Sequence, residues 1–320
     1  MSAADFEFER RYVPGAGIPL APPTGFPSAT ASTLVDVNSG QIRGMDTSPA
    51  IVCEARKHRV SRRALDTIAA NLSDRDHAVL ARLNQHGYLT THQLQRFAFE
   101  RHASEGSAKR TTRRVLARLE RDGLIRALAR RIGGARAGSG AAVWQLAHAG
   151  VRLLRSEGAR VRAHEPTVRF LAHSLAVADV HLLLRDHDRI EAIESVRIDI
   201  EPVAWRRYSG PGGEVRWLQP DLYATLTMSD FVDRYFIEVD LGSEGMQTLL
   251  DKCRQYEDYR RSGIEQQRHD AFPLVIWVFD DPARAERLAA TVTRSASLTA
   301  AMYRFATPES LTEVLAGGAS

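Results

Sequence analysis

Residues 216–240 read RWLQPDLYATLTMSDFVDRYFIEVD. Residues 216–227 predict one strand, which includes Gln219-Pro220-Asp221-Leu222. Residues 228–233 turn the chain, and Tyr235-Phe236-Ile237-Glu238-Val239-Asp240 predicts the next strand. Strand side chains alternate between faces, so Glu238 and Asp240 share one side. Asp221 sits on the adjoining strand of a β-meander. Three carboxylates are thus expected at one sheet edge.

The neighbouring segments extend the pattern. Residues 169–184 are mostly apolar and helical, with Leu171, Leu175, Val180 and Leu184. Residues 190–200 alternate as a strand, and residues 205–213 read as a Gly/Pro/Arg loop. Downstream, a helix is expected over 246–262, a buried strand over 272–279, a helix over 283–293 and a short strand near 303–305. The order is α-β-β-β-α-β, an α/β (α+β) domain over 166–316.

Hard oxygen donors such as Asp221, Glu238 and Asp240 suit Mg²⁺ or Mn²⁺. Such an ion activates water and neutralises charge developing on a phosphodiester. On the following helix Lys252, Gln255, Tyr256 and Tyr259 recur at three- and four-residue steps, on one face. A lysine there would stabilise a phosphorane-like transition state. An acid pair on a strand is more often simply its solvent face, and a Lys/Tyr helix face is more often packing. His173 and Asp179 lie on the domain's first helix, either beside the site or as structural residues.

Upstream, the pattern is helical and basic. Residues 54–165 hold 23 Lys/Arg against 10 Asp/Glu, whereas residues 166–320 hold 17 against 24. A basic half joined to an acidic half points to a polyanion-binding module plus something different. Ser73 caps a helix with Asp74 and Asp76 in its first turn, and Gly87 stops it. Thr90 or Thr91 caps a short second helix. A third runs over 107–122, with Val115, Leu116 and Leu119 inward and Lys109, Arg110, Arg113, Arg114, Arg118 and Arg121 elsewhere. Strands over 124–128 and 142–146 flank a Gly/Arg loop with Arg130, Arg131 and Arg136.

Three helices and a basic-tipped hairpin are the order of a winged helix-turn-helix, here over 53–160. Its third helix would enter a major groove of double-stranded DNA, and its hairpin would follow the backbone. A basic helix that is merely a solvated face is the bland alternative. Residues 1–52 are rich in Pro, Gly, Ser, Thr and Ala and read as a disordered arm.

Several classes are excluded. No apolar run approaches a membrane span, and the first residues have no apolar signal core. Cys53 and Cys253 match no zinc-ligand spacing and fit a reducing cytoplasm. A cytoplasmic protein with no membrane partner is expected.

The ordered motifs resemble the replication-relaxation family of plasmids and mobile elements of Gram-positive bacteria. The likeness covers residues 73–292. It rests on Leu-Ser-x-Arg-Asp and Leu-Thr-Thr-x-Gln-Leu on the first helices and on Trp144-Gln145-Leu146 before Gly150. His173-x-Leu-x-Val, Pro220-Asp221, Glu238-Val239-Asp240 and Lys252-x3-Tyr256-x2-Tyr259 complete the set. The resemblance implies a role in plasmid DNA relaxation and mobilisation.

The second domain also resembles the PD-(D/E)XK nuclease fold. Asp221 matches its first acid and Glu238 its second. Asp240 stands where the motif lysine belongs, and Lys252 on the next helix is the substitute. The resemblance implies a metal-dependent DNA nickase with Asp221, Glu238, Asp240 and Lys252 at its site. A non-catalytic accessory factor and a transcriptional regulator with an effector-binding domain stay open. Further candidate partners are other replication or transfer proteins and a second copy in a homodimer. The sequence carries no tyrosine/histidine pattern of a conventional relaxase.

Overall fold

Ser73 and Asp76 begin a helix by satisfying each other. Ser73 Oγ accepts from the Asp76 amide at 3.4 Å, and Asp76 Oδ2 accepts from the Ser73 amide at 2.8 Å. This reciprocal cap satisfies donors that a helix start leaves unpaired. The computed structural model describes residues 60–99, 104–128, 142–154, 166–186 and 193–317. All fall in one unit, Arg56–Ser320. The arm at 1–52, and Arg130, Arg131 and Arg136, lie outside the described residues.

The first part carries helices α1 (Arg62–Ala70), α2 (Asp74–His86), α3 (Thr91–Ala98), α4 (Glu105–Arg121) and α5 (His148–Leu153). Thr90 caps α3 with Gln93 in the same reciprocal arrangement. Strands β1 (Leu89–Thr90), β2 (Ile125–Ala127) and β3 (Val143–Leu146) pair antiparallel in the order β1-β3-β2. Leu80, Leu83, Leu94, Leu116 and Leu119 fill the core between them. Gly150 is required there, because a Cβ would stand 2.1 Å from the Leu124 carbonyl oxygen.

Helix α6 (Val168–Asp186) serves two cores. Ala178 and Leu182 pack into the first, while Val177, Val180 and Leu184 pack under a five-stranded sheet. That sheet contains β4 (Ile193–Ile200), β7 (Leu222–Met228), β8 (Val232–Asp240), β9 (Leu274–Phe279) and β10 (Tyr303–Ala306). Its order is β10-β9-β8-β7-β4. The β4, β7 and β8 pairs are antiparallel, and β8, β9 and β10 run parallel. Helices α7 (Met246–Arg261) and α9 (Pro282–Arg294) cover one face; α6 and α10 (Leu311–Ala316) cover the other. Burial on both faces explains the unbroken apolar run of β9.

The fold is therefore mixed α/β, with helices and several sheets. Two expectations need correction. The loop expected over 205–213 contains β5 (Arg206–Ser209), which pairs with β6 (Val215–Leu218) as a separate hairpin. The single strand expected over 216–227 is two, because the chain leaves the ladder at Gln219-Pro220-Asp221. Proline has no amide hydrogen to give a ladder. Helices α8 (Ile264–His269) and α10 were not anticipated. Both have only six residues, too few for an apolar period to stand out.

Candidate active site

Glu238 lies near the end of β8 with only 2% of its surface exposed. Its Oε2 accepts from Lys252 Nζ at 3.0 Å and its Oε1 from the Tyr256 hydroxyl at 2.7 Å. Lys252 and Tyr256 are four residues apart on α7, so one helix face delivers both. Tyr259 departs from this group; its hydroxyl donates to Glu265 at 2.6 Å.

Asp221 comes from the break between β6 and β7. Leu222 pairs with Ile237, so the chain brings Asp221 alongside the end of β8. Its Oδ2 accepts from the Val239 amide at 2.8 Å, and its Oδ1 lies 3.0 Å from His173 Nε2. His173 reaches it from α6. Four elements thus meet at this edge: the segment before β7, β8, α7 and α6.

The electrostatics follow from burial and pairing. Burial pushes the Glu238 carboxyl up to about 7; Lys252 opposes this and the Asp221 charge reinforces it. The Glu238 carboxylate raises the Lys252 ammonium, which stays charged. The bond to Asp221 raises His173. Burial, then Glu238, raises the Tyr256 hydroxyl well above its usual range, so it remains a donor. Two acids set side by side in low dielectric, with one lysine, form a site whose charge is costly to leave unpaired.

Asp240 is placed differently from the expectation. It lies on the same side of β8 as Glu238 but is held by Arg284 of α9, which also donates to the Glu244 carbonyl. The expected trio of Asp221, Glu238 and Asp240 is therefore not assembled as one set. Among the described residues no group of three or more His, Cys, Asp or Glu side chains is placed to hold a metal ion. The other helix-borne acid, Asp179, accepts from Gln93 Nε2 at 2.8 Å and ties α6 to α3.

The basic helix α4 also divides. Arg110, Arg113, Arg114 and Arg121 are exposed, and Lys109 is exposed beside Glu105 in an i,i+4 pair. Arg118 turns inward instead, 2.5 Å from the fully buried Asp76. It neutralises the capping acid of α2 while its own side chain stays 36% exposed, which sets it apart from the other cations of α4.

Sequence reasoning missed two features. Tyr256 shared the Lys252 face and the family motif but was given no role of its own, yet it is the second donor to Glu238. His86 and His181 form a buried pair, 3.1 Å apart, between α2 and α6, with the Phe97 ring against both. A histidine on each of two apolar helix stripes was the only available signal.

The fold and this edge define a mixed α/β protein with a basic helical region and a buried acid-lysine cluster. The family model of replication-relaxation proteins matches residues 80–275, and the chain belongs to that family. No curated protein and no solved structure matches it. Among the described residues no helix is long and apolar enough to cross a membrane.

Proposed function

We propose that this replication-relaxation protein binds double-stranded DNA through α4 and nicks it at the edge formed by Asp221, Glu238 and Lys252. The observation that carries the reading is the meeting of these three side chains from three separate elements. The α6-β4-β7-β8-α7-β9 order supports a nuclease-like domain. The order α2-α3-α4 followed by the paired β2 and β3 supports a winged helix-turn-helix, whose exposed arginines would meet phosphates.

Asp221 and Glu238 are hard donors that fit one Mg²⁺ or Mn²⁺ with water and phosphate completing its shell. Asp240 leaves that set because Arg284 holds it. A bound ion would supply Lewis acidity toward the phosphodiester and a more acidic water. Lys252 carries the fixed positive charge that would steady the pentavalent phosphorus. Exchanging its partner Glu238 for a phosphate oxygen frees the carboxylate. His173 orients Asp221 and holds a proton at Nε2.

The test is relaxation of supercoiled plasmid carrying the element's own origin, with Mg²⁺ or Mn²⁺, by the wild type and by Glu238→Gln. Metal-dependent nicking lost in the variant supports the reading. Tight duplex binding with no nicking in any metal would leave an accessory factor whose Glu238 merely anchors α7.

A further inference from the structure

The hairpin β5–β6 has two unlike faces. Its register pairs Arg206 with Leu218, Arg207 with Trp217, Tyr208 with Arg216 and Ser209 with Val215. Arg206, Tyr208, Arg216 and Leu218 therefore share one face. That face is fixed inward: Arg206 Nε bonds Glu265 at 3.1 Å, Arg216 bonds Asp258 at 3.1 Å, and Tyr208 packs edge-on against Tyr259. The other face carries Arg207, Ser209, Val215 and Trp217, all exposed. Trp217 leaves 39% of its surface open, an unusual placement for so large an apolar ring. Arg207 stands directly opposite it, and no ion pair among the described residues engages that guanidinium.

We propose that this outer face holds single-stranded DNA, with Trp217 stacking on an unpaired base and Arg207 meeting a neighbouring phosphate. An aromatic plane beside a cation is the combination that binds unpaired strands, because every base has a stacking face and every nucleotide a phosphate. The position fits: only Leu218, Gln219 and Pro220 separate Trp217 from Asp221. The inward anchors on α7 and α8 hold the face rigid, so little ordering opposes binding. A second copy of the chain fits less well. Four outward side chains fall short of the roughly 800 Å² per partner that a stable interface buries.

The proposal rests on the strand-cleaving reading of Asp221 and Glu238 for its biological sense, but its test needs no cleavage. Fluorescence anisotropy would follow a labelled oligodeoxythymidylate of about 20 nucleotides, in chelator, against the full chain. Trp217→Ala is expected to weaken binding about tenfold, with Trp217→Phe restoring most of it. Arg207→Gln is expected to flatten the salt dependence by roughly one counterion. Binding of a blunt duplex should be unchanged in Trp217→Ala. The thermal transition of each variant identifies any that misfold, and Arg207→Gln then carries the test. Unchanged affinity for the oligonucleotide in Trp217→Ala and Arg207→Gln overturns the proposal. So does a dimer in sedimentation that Trp217→Ala converts to monomer. A protein that binds the oligonucleotide through Trp217 yet nicks no plasmid keeps this proposal and loses the nickase.

Discussion

Lys252 Nζ stands 3.0 Å from Glu238 Oε2, with the acid 2% exposed and the lysine side chain 32% exposed. The pair joins a helix to a central strand and shields one charge with another. Burying either alone would be expensive. That cost is the basis of the first prediction.

Lys252→Ala should destabilise the fold by about 3 kcal/mol at about pH 9, where it strands the ionised Glu238 carboxylate. At about pH 6, below the raised Glu238 value of about 7, the loss should shrink, since the buried acid is then protonated and needs no cation. Urea unfolding at both pH values measures this. An equal loss at each would mean that the lysine contributes only packing.

Burial holds both imidazoles of the His86–His181 pair below the usual histidine range, His86 at about 3. The unfolded chain takes up those protons near pH 6.5, whereas the folded chain resists them. This contribution to stability is complete above about pH 6.5 and declines as pH falls toward 3. His181→Gln should lessen the pH dependence of the unfolding free energy between about pH 7.5 and 5. Identical slopes for variant and wild type would show that the pair does not control acid sensitivity.

The exposed and inward arginines of α4 should separate cleanly. Arg113→Ala with Arg114→Ala should weaken duplex binding and lower the salt slope by roughly one for each phosphate left without its arginine, with thermal stability kept. Arg118→Ala should instead lower the melting temperature, because it leaves the buried Asp76 without its cation. If the double variant binds duplex with unchanged affinity and slope, α4 is not the DNA-binding helix.

Gly150→Ala places a methyl against the Leu124 carbonyl oxygen, a backbone atom that cannot swing away. A loss of about 1–3 kcal/mol or more is expected, read as a shift of the chemical denaturation midpoint. A variant as stable as the wild type would mean that α5 moves freely off β2.

Much of the fold was legible in the sequence. Ser73 with Asp74 and Asp76, and Thr90 or Thr91, mark helix starts in the sequence. The period of α4 sets Val115, Leu116 and Leu119 inward, and that of β8 puts Glu238 and Asp240 on one side. The strand order of the meander follows from short turns, and the basic-to-acidic asymmetry from counting. These signals are local, set by backbone period and capping geometry.

Only the tertiary structure decided the partners. Glu238 and Asp240 are equivalent by strand period, yet packing of α7 brings Lys252 and Tyr256 to one, and packing of α9 brings Arg284 to the other. Arg118 is one of six cations on α4 by sequence, and the position of α2 alone turns it to Asp76. Strand β5 lay hidden in a Gly/Pro/Arg loop and β6 was merged with β7, because nothing local records that the hairpin anchors one face on α7 and α8. Charge pairing and burial depend on which surfaces meet across the chain, and no local period records that.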